Sequence, residues 1–242
     1  MSDDAARARD VAAGLQRVRT RIAAAGSAAG RDPGGITLIV VTKTYPASDV
    51  RELAALGVRD VGENRDQEAA TKAEQTTGLG LRWHFIGQLQ TNKARSVARY
   101  ADVVHSVDRS SLISALGRSA GTAGRTLECM LQVSLDGDVS RGGAPIDQTW
   151  NLADLVEEQE WLGLAGVMAV APLGAAPDEA FASLREVSER LRRDHPQASS
   201  ISAGMSGDLE SAIRQGATHL RVGGAVLGER PPLGYRRDAE AE

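Results

Sequence analysis

The chain is poor in aromatic residues, at 3% of 242 positions, and it holds one cysteine. With so few rings, a core must be built from Val, Leu, Ile and Ala. A single cysteine excludes a disulfide framework and fits a reducing compartment. That residue, Cys129, lies in the apolar run LECMLQV, where it reads as a small buried hydrophobe rather than a nucleophile. There is no basic stripe, and the net charge is −4 with a pI near 5.7. Nucleic acid is therefore not an expected partner, because neutralising phosphates needs clustered Lys and Arg. No apolar run approaches the ~18 residues of a membrane span. The opening MSDDAARARD lacks the apolar core of a secretion signal. These absences lead us to expect a soluble cytoplasmic protein with no membrane partner.

What is present is a strict rhythm. Val11, Leu15, Val18 and Ile22 recur at helical spacing in an opening helix over about 4–30, which ends near Gly26 and Gly30. After the breaker DPGG, strands are predicted over 36–42, 58–62, 81–87, 101–107, 126–135, 163–170, 198–204 and 218–224. Helices are predicted between them, over 47–57, 63–75, 90–100, 108–121 with Asp108 as N-cap, 146–160, 178–194 and 207–216. Strand–helix alternation requires a parallel sheet, since each helix carries the chain back to start the next strand. An open doubly wound sheet is possible, but eight repeats in 242 residues fit a closed (β/α)8 barrel better. No linker separates domains, so residues 1–242 are expected to form one unit, with an extra helix at 1–30 and a short tail at 231–242.

In such a barrel the active groups lie where the strands end. Lys43 closes strand 1 in LIVVTKTY, Asn64 follows strand 2, and His84 lies in strand 3. SAGMSGD (202–208) runs from the end of strand 7 through two glycines toward a helix near Gly207, and RVGG (221–224) closes strand 8. A Ser-Gly turn at a helix start exposes backbone N–H groups suited to a phosphate, and the strand 8 glycines allow close backbone approach. Alternatively Ser206 is only a cap and the glycines only turn residues.

A lysine facing a phosphate cradle has a chemical meaning. An amine desolvated in a barrel mouth becomes a nucleophile toward an aldehyde and forms a Schiff base. Pyridoxal 5′-phosphate (PLP) is an aldehyde that carries a phosphate. Arg221, pointing inward, would lie near its ring nitrogen and hold it unprotonated, which weakens the ring as an electron sink. A sugar-phosphate aldolase with a Schiff-base lysine would share most of these parts.

VTKTYP (41–46), VGENRDQE (61–68), WHFIGQLQTNK (83–93), GVMAV (166–170), SAGMSGD (202–208) and RVGGAVLGER (221–230) resemble, in order, the YggS/PROSC family of PLP-binding homeostasis proteins. The resemblance implies one (β/α)8 TIM barrel like the N-terminal domain of alanine racemase, with PLP held as a Schiff base on Lys43. It implies that Met205, Ser206, Gly223 and Gly224 cradle the phosphate, that Arg221 meets the ring nitrogen, and that Asn64 lines the pocket. His84 and Asn92 would shape or brace the mouth. The chain departs from the family at Arg65, Gly224, Leu227 and Arg141, the last standing where a lysine is common. No catalytic residue and no metal site is expected.

Alanine racemase adds a domain that helps form its dimer and supplies a second acid/base. The tail PPLGYRRDAEAE, with Tyr235, is too short for one. A monomeric carrier and regulator of vitamin B6 and of amino-acid and keto-acid balance is expected, with PLP-dependent apoenzymes as acceptors. An amino-acid racemase of the same fold, or a scaffold that senses PLP, is the alternative.

Overall fold

Residues 3–228 are described in the computed structural model of the chain. Eight strands close a parallel barrel in sequence order. They are β1 (Thr37–Val41), β2 (Asp60–Glu63), β3 (Arg82–Phe85), β4 (Val103–Val107), β5 (Leu127–Gln132), β6 (Leu162–Met168), β7 (Ser200–Ser202) and β8 (His219–Val222). Closure is made by β8 against β1, with Leu38 opposite Leu220 and Ile39 opposite Arg221. The (β/α)8 barrel expected from the alternation is therefore the observed fold.

Helices α2 (Ala47–Ala55), α3 (Asp66–Gln75), α4 (Ala94–Tyr100), α5 (Ser110–Ala123), α6 (Thr149–Glu157), α7 (Pro177–Asp194), α8 (Leu209–Arg214) and α9 (Gly224–Leu227) follow the strands in turn. Local chemistry sets several ends. Pro177 opens α7, with Asp178 and Glu179 in its first turn and Arg192 and Arg193 in its last, the order that complements a helix dipole. Gly124 ends α5 at φ 63°, a left-handed conformation that glycine adopts without steric cost.

Several boundaries shift from the sequence reading, and two of the shifts have a clear local cause. Asp108 does not cap α5: the helix begins at Ser110 with Arg109 before it, and the Asp108 carboxylate pairs instead with the Arg109 guanidinium at 2.5 Å. The helix expected from Gly207 begins at Leu209, because the Asp208 carboxylate accepts the Met205 N–H at 2.5 Å and holds 205–208 as a turn. Residues 229–242 lie outside the described residues, and with them the tail, Tyr235 and the end of the last matching segment.

The opening helix, α1 (Asp3–Ala28), packs outside the barrel against α2, α8 and α9. Its Val11, Leu15, Val18 and Ile22 are buried, as their spacing predicts. Most of the apolar core fills the space between strands and helices. Cys129 is fully buried there, and burial pushes its thiol up to about 12, which leaves it no nucleophilic role. The barrel interior holds a small separate apolar cluster, Val103, Met130 and Met168 with Ala165. Much of the remaining interior is polar.

Candidate functional site

At the C-terminal ends of β1, β2, β7 and β8 a cavity of about 410 Å³ opens. Lys43, Asn64, Met205, Ser206, Arg221, Gly223 and Gly224 all line it, so the seven positions picked out in the sequence meet in one place. They come from segments up to 181 residues apart and are brought together by barrel closure.

Lys43 lies two residues beyond β1, in a tight turn. Beneath that turn is a buried ionic cluster. Lys72 Nζ, reaching from α3, donates to Glu63 Oε1 and Glu68 Oε1, both at 2.6 Å, and to the Thr42 carbonyl at 2.7 Å. The Thr42 hydroxyl donates to the same Glu63 oxygen at 2.6 Å. Glu68 also accepts the Thr44 N–H at 2.5 Å. Thr44 has φ 71°, the sole positive value at a non-glycine position among the described residues. A β-branched residue there is strained, and the cluster is what holds it. Burial pushes the Glu63 carboxyl up, while Lys72 pulls it down more weakly.

Opposite Lys43 stand the two glycine-rich segments. After β7 the chain turns at Gly204, φ 90°, where a Cβ would meet Ala212 at 2.6 Å. Because the Met205 N–H is taken by Asp208, the Ser206 hydroxyl and the backbone that follows are the groups left for an anion. After β8, Gly223 passes within 3.0 Å of the Val41 carbonyl at its Cβ position, whereas a Cβ on Gly224 would meet nothing within 4 Å. Gly224 thus leaves an open place beside the first N–H groups of α9, which have no partner within the helix. Helix α1 braces both segments: Arg21 donates to the Ser206 carbonyl at 3.0 Å, and Arg7 to the Leu227 carbonyl at 2.8 Å.

Arg221 rises from β8 into the floor of the cavity. It is only 5% exposed, and burial lowers its guanidinium to about 10, so it stays protonated at neutral pH. It donates to Ser202 Oγ at 2.5 Å and to the Ala169 carbonyl at 2.8 Å. Asn64 sits across the cavity, and its side-chain oxygen is buried with no partner in the protein. An orphaned acceptor, a donor-only guanidinium, a lysine and an open glycine cradle fit a small aldehyde bearing a ring nitrogen and a phosphate.

Other residues singled out in the sequence fall elsewhere. His84 is buried inside the barrel below the cavity and faces His105 and Asp60. Asn92 is exposed in the turn before α4, away from the cavity lining. Arg141 pairs with Asp136 at 2.9 Å in the loop after β5. Sequence reasoning missed Val41, Tyr45, Ile86, Val170 and Gly207 in the lining. Gly207 directly follows Ser206, and Val41 and Tyr45 lie two residues to either side of Lys43, so their position was the available signal. Among the described residues no helix is long and apolar enough to cross a membrane, and no cluster of metal-ligating side chains is present.

Residues 14–231 match the family described as alanine racemase, N-terminal domain. The chain is 44% identical to the pyridoxal phosphate homeostasis protein of Mycobacterium leprae, over 88% of this chain and 90% of that one. It is 36% identical to the protein of that name from Escherichia coli, over 91% and 97%. Among solved structures it is similar to PipY of Synechococcus elongatus, determined with PLP bound, at a TM-score of 0.80, 34% identity, and 90% and 100% coverage. Alanine racemase of Corynebacterium glutamicum shares the fold, at a TM-score of 0.70 and 15% identity over 95% of this chain and 64% of that one.

Proposed function

Because this chain belongs to the alanine racemase N-terminal domain family and, within it, to the pyridoxal phosphate homeostasis proteins, we propose that it binds PLP and serves as a carrier and regulator of that cofactor. The observation that carries the reading is the convergence of Lys43, Arg221, Asn64 and both glycine-rich segments on one cavity. Lys43 holds the cofactor through its amine. Ser206 and the backbone at Gly223 and Gly224 receive the phosphate, with Met205 over them. Arg221 donates to the ring nitrogen, and Asn64 offers its orphaned oxygen to the cofactor's polar edge.

When bound, PLP supplies an aldehyde that amines capture and a ring that withdraws electrons from them. The protein's own groups favour holding over turnover. A guanidinium only donates, so Arg221 keeps the ring nitrogen unprotonated and weakens that withdrawal. Among the described residues, no carboxylate and no imidazole lines the cavity, and the Tyr45 hydroxyl donates to the Gly228 carbonyl at 2.7 Å. A stereospecific proton transfer needs a positioned acid and base on either side of the reacting carbon. The acceptors of the cofactor are apoenzymes that require it.

Borohydride reduction of PLP-loaded protein, followed by intact mass and peptide mapping, tests the assignment. One reduced pyridoxyl group on Lys43 is expected, with no label in Lys43→Ala. A label elsewhere would overturn the site. Sustained racemisation of alanine or serine, lost in Lys43→Ala, would replace the carrier reading with an amino-acid racemase.

A further inference from the structure

Three of the four histidines, His84, His105 and His219, come together in the barrel. Two of them belong to an unbroken chain of hydrogen bonds that begins at Arg221. Arg221 Nη1 lies 2.5 Å from Ser202 Oγ, and Ser202 Oγ lies 2.9 Å from His105 Nδ1. His105 Nε2 is 2.9 Å from His84 Nδ1, and His84 Nε2 is 2.9 Å from Asp60 Oδ1. Ser202 and both imidazoles are at most 1% exposed. The Asp60 side chain is 23% exposed and lines a second cavity, of about 390 Å³, at the N-terminal ends of β1 and β2. The chain thus runs from the mouth cavity to the opposite end of the barrel.

Its two ends determine the direction of every proton. A guanidinium cannot accept, so Ser202 Oγ accepts from Arg221 and turns its own proton to His105 Nδ1. His105 then carries its proton on Nε2 and donates to His84 Nδ1. His84 in turn carries its proton on Nε2 and donates to the Asp60 carboxylate. Each acceptor meets one proton when both imidazoles are neutral.

We infer that Asp60, His84, His105 and Ser202 are positioning residues for Arg221, and that two neutral Nε2–H imidazoles hold its guanidinium in place beneath the mouth cavity. The inference rests on the reading of that cavity as the PLP site. A second proton on either imidazole would set two donors head to head, at the His84–His105 or the His105–Ser202 contact, and loosen the hold on Arg221.

The surroundings of His105 favour its neutral form. Around the imidazoles stand Arg82 from β3, paired with Glu128 of β5, and His219 and Arg221 from β8. Asp60 of β2 is the anion in contact with them. Burial first, and then the positive charge that His84, Arg221, His219 and Arg82 carry or could take up, hold His105 well below an ordinary imidazole.

The test combines two readouts on the full-length protein. In ligand-free protein with ¹⁵N-labelled histidine, NMR at pH 7 should show His84 and His105 neutral with the proton on Nε2. PLP titration followed by absorbance should give Ser202→Ala and Asp60→Asn about tenfold weaker affinity than wild type, the loss expected when a charge-assisted hydrogen-bond chain is cut. Both variants should keep the cofactor label on Lys43. Asp60→Asn changes a partly exposed residue and guards against a variant that fails to fold. Its His84 resonances should shift toward a tautomer mixture. Either imidazole charged or protonated on Nδ1 at pH 7, or both variants binding like wild type, would overturn the inference. Should wild-type protein bind no PLP, the functional reading fails, and the tautomers alone decide the chain: Nε2–H supports it and any other state overturns it.

Discussion

Lys72 and Glu63 form an ion pair of 2.6 Å in which the carboxylate is fully buried and the lysine side chain is 7% exposed. The pair lies beneath the turn that carries Lys43, and Lys72 also holds the carbonyl of Thr42 in that turn. Desolvating two charges costs several kcal/mol, so the pair is weak evidence of net stability. Its role in this fold is geometric: it ties α3 to the end of β1.

Removing one partner should be far worse than removing both. Lys72→Met leaves the Glu63 carboxylate buried without its cation, at an expected cost of about 3–5 kcal/mol near pH 7. Burial already raises the Glu63 carboxyl, and a group whose folded value lies above its unfolded value takes up its proton first in the folded state. The cost should therefore shrink as pH falls from 7 toward 5, and adding Glu63→Gln should recover part of it. Urea unfolding at both pH values checks the sign.

Two histidines set a stability slope of the opposite sign. Burial holds His105 well below its ordinary value and lowers His219 to about 4. Between pH 6.5 and about 4 the unfolded chain binds protons that the folded protein refuses, so stability falls as pH falls. Each such histidine contributes a slope of at most about 1.4 kcal/mol per pH unit. His219→Gln should flatten the fall in Tm between pH 6.5 and 4.5.

Gly87 lies directly against the cavity wall. A Cβ there would sit 2.2 Å from the Asn64 carbonyl oxygen, so Gly87→Ala must displace Asn64. PLP affinity should drop about tenfold, the scale of one lost polar contact. Gly35→Ala, with nothing within 4 Å of the added carbon, should bind PLP as wild type does. Absorbance titration of the two variants separates the effects.

The strain at Thr44 should be measurable. Replacing it with glycine removes the cost of a left-handed β-branched residue and adds back some unfolded-state entropy. Thr44→Gly should gain about 0.5–1 kcal/mol, raising Tm by roughly 1–4 °C for a domain of this size. A fall in Tm would show that the threonine side chain holds the turn.

Much of the architecture was legible because its signals are local. Periodic apolar residues separated by breakers located each of the eight strands and the long helices, and right-sized repeats implied closure. Lys43, Ser206 and Arg221 stood out because strand-end polar residues and Ser-Gly turns carry their meaning within a few positions. The Asp108 cap failed for the same reason in reverse. An Asp before a helical stretch is a good cap in isolation, but here a neighbouring guanidinium competes for the carboxylate and the helix starts two residues later. Likewise ENRDQEAATKAEQ reads as a polar helix, and nothing local marks Lys72 as the residue in it that is buried.

The order of strands and helices, and the positions where a barrel mouth gathers its chemistry, were determined by the sequence alone, because apolar periodicity and turn residues act over a few neighbours. Which polar groups meet inside the barrel was decided only by the tertiary structure. His105 and Ser202 are 97 residues apart, and no local pattern marks either as the other's partner. They touch because closing eight tilted strands sets a register, and in that register a buried hydroxyl or imidazole must find a partner or pay for its lost water.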